Sequence, residues 1–394
     1  MNRQGKKKKV FIGMSGGVDS SVAAYLLKKQ GYDVVGVFMR SYNLDGCAER
    51  DAEDARRVAE NIGIPFYAFD FEEEYKKKVV EYMIDGYRRG ITPNPDVMCN
   101  KEIKFGIFLE KALEMGADFV ATGHYVGIKK YKLRIKDKKG SQFIIHYSLF
   151  SAADKNKDQS YFLWTLTQEQ LRRCLFPLGN LLKSEVREIA RKAGLPTAEK
   201  KDSQGICFLG KVSLEDFLKD YIKGKPGEIL DINGKKIGEH QGAHFYTIGQ
   251  RHGLDLGGKN YELGTKGKTQ TKPHYIAGKN IKTNTIIVAE GDNNPALYRK
   301  EIELTDVNFI NPGIHSLIRA NKRIDVLVRV RYRQPLVSAI LLLSAKDSIR
   351  INQQYPHKSA YRIIFDNPIK FVAPGQSAVF YSISGEMLGG GVII

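Results

Sequence analysis

The sequence predicts an α/β protein in three parts: an N-terminal doubly wound parallel sheet, a small central domain of mixed or β structure, and a C-terminal antiparallel β-barrel. Apolar runs typical of buried strands alternate with helical patterns from Val10 to Tyr125, which favours a parallel sheet covered on both faces. Beyond position 285 only strand-like segments follow, at a spacing that suits a small barrel or sandwich. Because 394 residues exceed the size at which one core keeps growing, we divide the chain into domains 1–210, 211–284 and 285–394.

The elements of the first domain follow in a regular order, starting with a strand from Val10 to Gly13. Further predicted strands cover 33–39, 65–69 and 117–122, and predicted helices cover 51–62, 72–88, 101–115 and 183–193. A basic hairpin is predicted at 129–145, and Asn233-Gly234 indicates another hairpin with a type I′ turn. In a parallel sheet of this kind, ligands bind beyond the carboxyl ends of the strands.

Composition limits the classes of partner. The net charge of +18, from 62 Lys plus Arg against 44 Asp plus Glu, suits a polyanion, although charge alone does not choose between nucleic acid, membrane headgroups and no partner. No apolar run approaches the roughly 18 residues that span a bilayer, so we expect no membrane segment and a cytoplasmic location. The four cysteines fit neither a disulfide framework nor a Cys-x-x-Cys zinc site.

The turn after the first strand suits a phosphate. Gly16 and Gly17 have no Cβ, so their N–H groups can approach an anion, and the helix that opens at Ser20 or Ser21 points its positive end at the same spot. No Gly-Lys-Ser or Gly-Lys-Thr follows, so this is not the commoner P-loop. The string Ser-Gly-Gly-Val-Asp-Ser at 15–20 resembles the PP-loop of the ATP pyrophosphatases, which implies cleavage of ATP to AMP rather than to ADP.

One cysteine lies in a setting that favours reactivity. Cys99 falls just before or at the start of the predicted helix 101–115, where the helix dipole, with Lys101 and Lys104, favours the thiolate. Asp96 is close enough to exchange protons with a substrate, although on its own it reads more readily as a turn or cap carboxylate.

A second cysteine, Cys207, follows the polar turn 200–205 in a similar setting. Two such cysteines on one nucleotide-binding domain suggest paired thiol chemistry, in which one carries sulfur and the other resolves the intermediate. Cys47 and Cys174, the latter in a predicted helix 168–174, lack this setting and are predicted to be structural.

A row of arginines near the C-terminus suits phosphates. Period-2 alternation predicts Arg329, Arg331 and Arg333 on one face of a strand, with Tyr332 on the other face. Guanidinium groups in a row can bind a phosphate backbone, while a merely solvated outer face is nearly as good an interpretation.

Eight strings in order resemble the bacterial tRNA-specific 2-thiouridylases, the MnmA family, over nearly the whole chain. They are Gly-Met-Ser-Gly-Gly-Val-Asp-Ser-Ser-Val, Thr-Pro-Asn-Pro-Asp with the following Cys99-Asn100, Ala-Thr-Gly-His-Tyr, Asn-Lys-Asp-Gln-Ser-Tyr-Phe-Leu, Lys-Asp-Ser-Gln-Gly-Ile-Cys-Phe, Tyr-Thr-Ile-Gly-Gln-Arg, Val-Arg-Tyr-Arg-Gln and Pro-Gly-Gln-Ser-Ala-Val. The segments 129–147 and 258–273 are longer and more basic than the family usually has.

The resemblance implies ATP-dependent 2-thiolation of the wobble uridine, position 34, of tRNA: the carbon-2 oxygen is adenylated, and sulfur from a cysteine persulfide then replaces it. Cys207 would receive the persulfide from a sulfur donor, either a cysteine desulfurase or a sulfur-relay protein. Cys99 would free the sulfur and close a disulfide with Cys207, and Asp96 would act as acid or base. Magnesium is expected with the ATP, and no metal site of the protein itself.

The resemblance also implies the ligand contacts. The ATP contacts are Gly13, Met14, Ser15, Gly16, Gly17, Val18, Asp19, Ser20, Met39 and Gly123. The tRNA contacts are Asn94, Pro95 and Asp96 at the target base, and His124, Lys157, Asp158, Gln159, Arg331, Tyr332 and Gln376 elsewhere.

Three other interpretations stay open. Another PP-loop enzyme could adenylate an oxygen of a small metabolite, which leaves both cysteines and the arginines without a role. A tRNA-binding protein could keep a nucleotide fold without catalysis, and tRNA-dependent release of AMP would separate it from an enzyme. A thiolase could also modify another uridine or a cytidine.

Overall fold

The computed structural model describes residues 7–42, 44, 46–137, 140–202, 208–210, 212–256, 272–321, 323–344 and 361–394. The predicted site residue Cys207 lies outside the described residues, as do residues 257–271 and the side chain of Cys47.

The described residues form 17 strands and ten α-helices, and the strands pair in both parallel and antiparallel sheets. The strands are β1 Lys9–Gly13, β2 Asp33–Arg40, β3 Phe66–Asp70, β4 Phe119–Ala121, β5 Gly127–Asp137, β6 Gly140–Phe150, β7 Cys174–Leu175, β8 Gly227–Asp231, β9 Lys236–His240, β10 His274–Asn280, β11 Thr285–Glu290, β12 Tyr298–Phe309, β13 Arg323–Arg329, β14 Val337–Leu343, β15 Tyr361–Lys370, β16 Ser377–Tyr381 and β17 Glu386–Ile393. The α-helices are α1 Val18–Lys29, α2 Cys47–Ile62, α3 Glu72–Tyr75, α4 Glu81–Arg88, α5 Pro95–Met98, α6 Phe108–Glu114, α7 Gln168–Leu171, α8 Lys183–Lys192, α9 Leu214–Lys219 and α10 Pro312–Asn321. Wider π-helical turns, Lys76–Val80 and Cys99–Ile107, join α3 to α4 and α5 to α6.

The N-terminal domain is built on a parallel sheet with strand order β3-β2-β1-β4-β7. Alternate residues of β1 enter different cores: Phe11 packs in the cluster that includes Phe108 of α6, whereas Ile12 packs with Val22 of α1 and Val58 of α2. Because β1 is buried on both faces, the doubly wound parallel sheet is confirmed.

Two differences from the predicted elements change the setting of a cysteine. The helix predicted to begin at Lys101 begins at Pro95, because the Asn94 side chain caps it by accepting the Val97 N–H at 3.3 Å. Cys174 lies on β7 at the edge of the sheet and not in a helix, since α7 ends three residues earlier.

The central part is a four-stranded mixed sheet with order β10-β11-β8-β9, in which β8 and β11 run parallel. The boundary predicted at 284/285 therefore cuts this sheet, because β11 falls on the barrel side. The hairpin between β8 and β9 occurs where it was predicted, but Gly234 alone of the pair takes a positive φ, at 86°. The turn is thus a type I turn from Asp231 with a left-handed glycine, because a type I′ turn needs positive φ at both central residues.

The C-terminal part is a closed barrel. Six strands follow the order β12-β15-β14-β13-β16-β17, and β12 also pairs with β17, which closes the ring. The barrel, rather than a sandwich, is therefore confirmed. The hairpin of β5 and β6, predicted as a basic hairpin, extends this sheet from outside the ring because β6 pairs with β17 at Leu149 and Phe150.

One buried cluster draws side chains from all three parts, among them Phe108 of the parallel sheet domain, Ile229 of the central sheet and Tyr381 of the barrel. The three parts therefore pack on a shared core. None of the described helices combines the length and the apolar composition needed to cross a bilayer.

Candidate active site

The loop between β1 and α1 leaves a helix N-terminus open. Gly17 stands at the N-cap position, and no side chain caps the first turn. The hydroxyls of Ser20 and Ser21 instead fold back onto the Gly17 carbonyl, at 3.1 and 2.8 Å, and the Ser15 N–H donates to the Ser20 hydroxyl at 3.2 Å. The N–H groups at the start of α1 thus face outward, as an anion site requires.

Glycines bring neighbouring backbones close to this loop. A Cβ at position 123 would lie 2.7 Å from the backbone nitrogen of Ser20, and one at position 16 would lie 2.3 Å from the Asp51 carbonyl oxygen. Gly16 also has a φ of 70°, which favours glycine. A side chain at either position would collide with these backbones, so α1 or the loop would have to move.

The two methionines predicted as ATP contacts lie beneath the loop. Met14 is buried, and its Sδ lies 2.7 Å from where a Cβ would stand on Gly36, while its N–H donates to the Val37 carbonyl at 2.7 Å. The Cε of Met39 lies 2.7 Å from a Cβ built on Gly13. The side chain of Met14 therefore supports the loop, so only its backbone faces the site.

A charged network surrounds Asp19 in the first turn of α1. Its carboxylate accepts the Tyr125 hydroxyl at 2.7 Å and the Lys183 ammonium at 2.7 and 2.8 Å. Lys183 also lies 2.8 Å from Asp202, which pairs in turn with Lys157 at 2.6 Å. Burial raises the pKa of the Asp202 carboxyl, but hydrogen bonds and charge from Lys157 and Lys183 outweigh it and lower the pKa to about 2.

Cys99 lies in the second turn of a continuous helix that starts at Pro95, so it is not at the positive end of the helix. Burial raises the pKa of the Cys99 thiol and the Asp96 charge raises it further, while Lys104 and a hydrogen bond from Tyr75 oppose them. The predicted thiolate is therefore wrong for this structure, because the helix starts earlier than predicted and the thiol is buried.

Lys104 is the shared cation of this region. Burial raises the pKa of Asp96, and Lys104 lowers it. Burial and then the Lys104 charge lower the pKa of His124 well below its usual range, so the ring is neutral, with Nδ1 2.8 Å from the Thr122 hydroxyl. The sequence shows Lys104 near Cys99 but does not indicate an effect on His124, which follows β4.

The loop before Cys99 is held by all three parts of the protein. The Thr92 N–H donates to the Pro374 carbonyl at 2.8 Å, and the Gln376 amide donates to the carbonyls of Thr92 and Pro93 at 3.0 and 3.2 Å. From the central part, the Thr247 hydroxyl lies 3.3 Å from the Thr92 hydroxyl. Gln376, an implied tRNA contact, is thus a clamp on this loop.

The predicted row of arginines does not share one face. Arg329 is buried on β13, 3.3 Å from the Asp158 carboxylate. The strand ends there, and the chain turns through Arg333, whose φ is 63°. Arg331 is half-buried and donates to the Ile248 carbonyl, so Arg333 is the exposed one of the three. Residues two positions apart share a face only while the chain is extended, and this chain stops being extended after Arg329.

The other implied tRNA contacts occupy the wall between the first domain and the barrel. Asp158 is buried, where it also accepts the N–H groups of Ala152 and Ser160 at 3.2 and 3.1 Å. The Gln159 side chain accepts the Tyr125 N–H at 3.0 Å, and the Tyr332 ring lies 4.5 Å from that of Phe162. Asp158 is therefore not available at the surface in this structure.

Tyr75 connects Cys99 to the segment that carries the second cysteine. It hydrogen-bonds the Cys99 thiol, and its ring packs edge-on against Phe208, the residue after Cys207, at 5.8 Å. Sequence reasoning missed Tyr75, because a lone tyrosine within a helical segment does not indicate a functional role.

Three protein families match successive parts of the chain: the tRNA methyl transferase HUP domain at 8–211, the tRNA methyl transferase PRC-barrel domain at 215–290 and the aminomethyltransferase beta-barrel domain at 299–393. The chain is 44% identical over 390 residues to the tRNA-specific 2-thiouridylase MnmA of Staphylococcus epidermidis, covering 98% of this chain and 95% of the relative. The chain belongs to the MnmA family. The MnmA proteins of Bacillus licheniformis, 42% identical over 398 residues, and Listeria monocytogenes, 44% identical over 391 residues, are aligned over 100% and 98% of this chain and 96% and 94% of their own lengths.

The domain matches of this MnmA family member follow the observed sheets. The second match ends at 290, the last residue of β11, and the third begins at 299, within β12. Cys174 is buried with its thiol donating to the Gln170 carbonyl at 3.1 Å, as suits a structural cysteine. Within the described residues, no group of three or more His, Cys, Asp or Glu side chains could hold a metal ion.

Proposed function

We propose that this chain is a tRNA-uridine 2-sulfurtransferase, which uses ATP to exchange the carbon-2 oxygen of the wobble uridine for sulfur. One observation supports the proposal beyond family membership. The turn at Gly123 and His124 connects the phosphate loop to the group formed by Lys104, Asp96 and Cys99. Gly123 touches the start of α1, and the next residue, His124, feels the charge of Lys104, which also acts on Cys99 and Asp96. These interactions link the phosphate loop, through Gly123 and His124, to the surroundings of Lys104, which include Cys99.

The described residues fit ATP. The uncapped first turn of α1 offers N–H donors, the glycines at 16 and 123 let neighbouring backbones pack closely around the loop, and Lys183 supplies a cation beside Asp19. Magnesium, when bound, would neutralise phosphate charge, and Asp19 in the first turn of α1 is a carboxylate beside the loop. Because Asp19 is already held by Lys183 and Tyr125, we propose that magnesium enters with ATP.

In the first step we propose that the uridine carbon-2 oxygen attacks the α-phosphorus of ATP and that pyrophosphate leaves toward the N–H groups of α1. In the second, the outer sulfur of a Cys207 persulfide attacks carbon 2, and AMP departs with the oxygen. The Cys99 thiol then attacks the inner sulfur of Cys207. This forms a Cys99–Cys207 disulfide and leaves sulfur on the base, and a dithiol reductant restores both thiols.

Asp96 is positioned to take the proton of Cys99. It lies three residues before Cys99 on the same helix, and burial raises the pKa of its carboxyl, which makes it a stronger base than an exposed aspartate. The raised pKa of Cys99 has a use in this scheme, because a thiol held neutral does not attack the persulfide before the substrate is in place.

The packing of Tyr75 supports the proposed meeting of the two cysteines. Tyr75 contacts both Cys99 and Phe208, and Phe208 is the residue that follows Cys207 in the sequence. The persulfide donor is proposed to be a sulfur-carrying protein, a cysteine desulfurase or a relay protein.

The test combines two products in one assay. Purified protein is incubated with transcribed tRNA, magnesium, labelled ATP and a persulfide source, and both AMP and 2-thiouridine are measured. We expect Cys99→Ser and Cys207→Ser to lose 2-thiouridine, while Cys174→Ala, a matched control at a buried cysteine, keeps it. AMP without thiolated base in the wild type, whatever the sulfur source, would falsify the proposed product and leave only ATP cleavage.

A further inference from the structure

The hairpin of β5 and β6 projects beyond the support of the rest of the molecule. Its strands pair residue for residue from Gly127 and Phe150 outward, but β6 pairs onward with β17 only at Phe150 and Leu149. Gln168 ties down Tyr147 through two hydrogen bonds, at 2.9 and 2.8 Å. Past this point, within the described residues, the hairpin has no third strand.

The outer part of the hairpin exposes both lysines and large apolar side chains. We call the described residues 130–133 and 143–145 the arm. Phe143 is 59% exposed and Ile145 46% exposed, which is unusual for a two-stranded ribbon without a partner. The Lys132 ammonium lies 4.3 Å from the centre of the Phe143 ring.

The pairing sets which side chains share a face. Lys130 lies opposite Tyr147, and Lys132 lies opposite Ile145, so lysines and large apolar side chains alternate along one face of the ribbon. Neither lysine forms an ion pair with another described residue. Ammonium groups beside aromatic and large aliphatic side chains suit a single strand of nucleotides, because the ammonium groups can bind phosphates and the aromatic rings can stack on bases.

Charge favours a polyanion as the occupant. Between 129 and 147 the sequence has seven Lys or Arg and one carboxylate, a net charge of +6, which is a third of the chain's +18. An acidic protein would also be attracted, but the arm's place favours the RNA. The hairpin starts four residues after Gly123, at the edge of the sheet where the uridine would enter, and its strands of 11 residues reach about 36 Å.

We propose that the arm binds the tRNA backbone outside the nucleotide being modified, with Lys130 and Lys132 on phosphates and Phe143 against an unpaired base. The proposal rests on the proposed function, since it takes tRNA as the substrate. The arm lies outside the residues given chemical roles, so it sets tRNA affinity and not the rate of the chemical steps.

The test measures binding of unmodified tRNA between about 50 and 200 mM salt. The Lys130→Ser and Lys132→Ser double variant is expected to bind about tenfold more weakly and to lower the slope of log affinity against log salt by about two. Phe143→Ala is expected to weaken binding about tenfold with the slope unchanged, because stacking releases no counterions. Both variants are expected to raise KM for tRNA and keep kcat.

The matched control is the double variant Lys223→Ser and Lys225→Ser, at exposed lysines between α9 and β8. Equal affinities and slopes for the arm variant and this control, with unchanged thermal unfolding, would overturn the arm proposal. Unchanged tRNA affinity with slower transfer from the persulfide-carrying protein would overturn it too, and would assign the arm to that protein. If the wild type neither binds nor thiolates tRNA, both the proposed function and the arm proposal fail. That outcome is distinguishable from failure of the arm proposal alone, in which the wild type still thiolates tRNA.

Discussion

The phosphate loop between β1 and α1 and the loop at Thr92 and Pro93 that precedes Cys99, here called the Cys99 loop, are built over different distances along the chain. The hydrogen bonds that fold the backbone of the phosphate loop join Ser15 to Ser20, and Ser20 and Ser21 to Gly17, residues three to five positions apart. Partners from far along the chain hold the side chains of Asp19 and Ser21. The Cys99 loop instead depends on Thr247 and on Gln376, which is 284 residues away from Thr92. One half of the site is therefore a local turn, and the other is an interface between domains.

This difference predicts that the two half-reactions can be separated by mutation. Damage to the barrel or to its contacts with the first domain should impair sulfur transfer more than ATP cleavage. Damage to the glycines around α1 should stop both, because thiolation needs the activated base. The following four changes probe the two loops and the contacts that hold the domains around them, in order of expected effect.

The largest expected effect is on stability, at the ion pair between Arg329 of the barrel and Asp158 of the first domain. Arg329→Met leaves the Asp158 carboxylate buried without its cation, which should lower the free energy of unfolding by about 3–5 kcal/mol. Urea unfolding measures the loss, with Arg333→Met, at an exposed arginine, as the control. Equal stability of the two variants would mean that this wall does not hold the domains together.

The next effect concerns the phosphate loop alone. Gly123→Ala places a methyl group 2.7 Å from the Ser20 nitrogen, so α1 must shift, and we expect AMP formation to fall by about 100-fold. Gly278→Ala on β10, where a Cβ meets only ordinary contacts at 3.7 Å, is the matched control. Normal ATP turnover by Gly123→Ala would show that the phosphates bind elsewhere.

A smaller effect distinguishes a clamp from an RNA contact at Gln376. Gln376→Ala frees the carbonyls of Thr92 and Pro93, so we expect the rate of thiolation to fall about tenfold with tRNA affinity and AMP formation unchanged. Gln376→Glu keeps the size but loses both N–H donors and should behave in the same way. A loss of tRNA affinity with a normal rate would instead make Gln376 the RNA contact that the family resemblance implies.

The smallest effect is the pH dependence contributed by Asp202. Because its pKa in the folded protein is about 2, below the roughly 3.9 of an unfolded aspartate, it stabilises the fold above about pH 4, and this contribution is lost as pH falls toward 2. Asp202→Asn should cost about 1–2 kcal/mol at neutral pH after solvent screening. Thermal unfolding measured from neutral pH down to about pH 2 should show the difference in stability between Asp202→Asn and the wild type shrinking. The control Asp366→Asn, at an exposed aspartate, should match the stability of the wild type throughout.

The part of the structure that could be predicted from the sequence is the part made by local pattern. The apolar run, the glycine pair and the helical pattern at 10–27 predict a strand, a turn and a helix from neighbouring residues alone. The barrel could likewise be predicted from the regular spacing of strand-like segments. The helix start at Pro95 could also have been predicted, because asparagine is a favoured N-cap residue and proline a favoured first helical residue.

The rest depends on pairings that one sequence does not contain. Nothing near Asp19 in the chain indicates Lys183, 164 residues away, and nothing near Arg329 indicates Asp158, 171 residues away. The prediction of the arginine row was wrong for a related reason: alternation describes a strand, but β13 ends at Arg329, where its pairing with β16 also ends. Burial, which reversed the expected pKa shift of Cys99, is likewise set by distant segments.

The clamp on Thr92 has a consequence for the making of the protein. A ribosome that adds about 5–20 residues per second needs on the order of tens of seconds to go from Thr92 to Gln376. During that interval the nascent chain can complete its phosphate loop, while the Cys99 thiol waits without the barrel that buries its surroundings. A newly made chain is thus expected to bind nucleotide before it can handle sulfur, and its cysteine is most open to oxidation while synthesis is still under way.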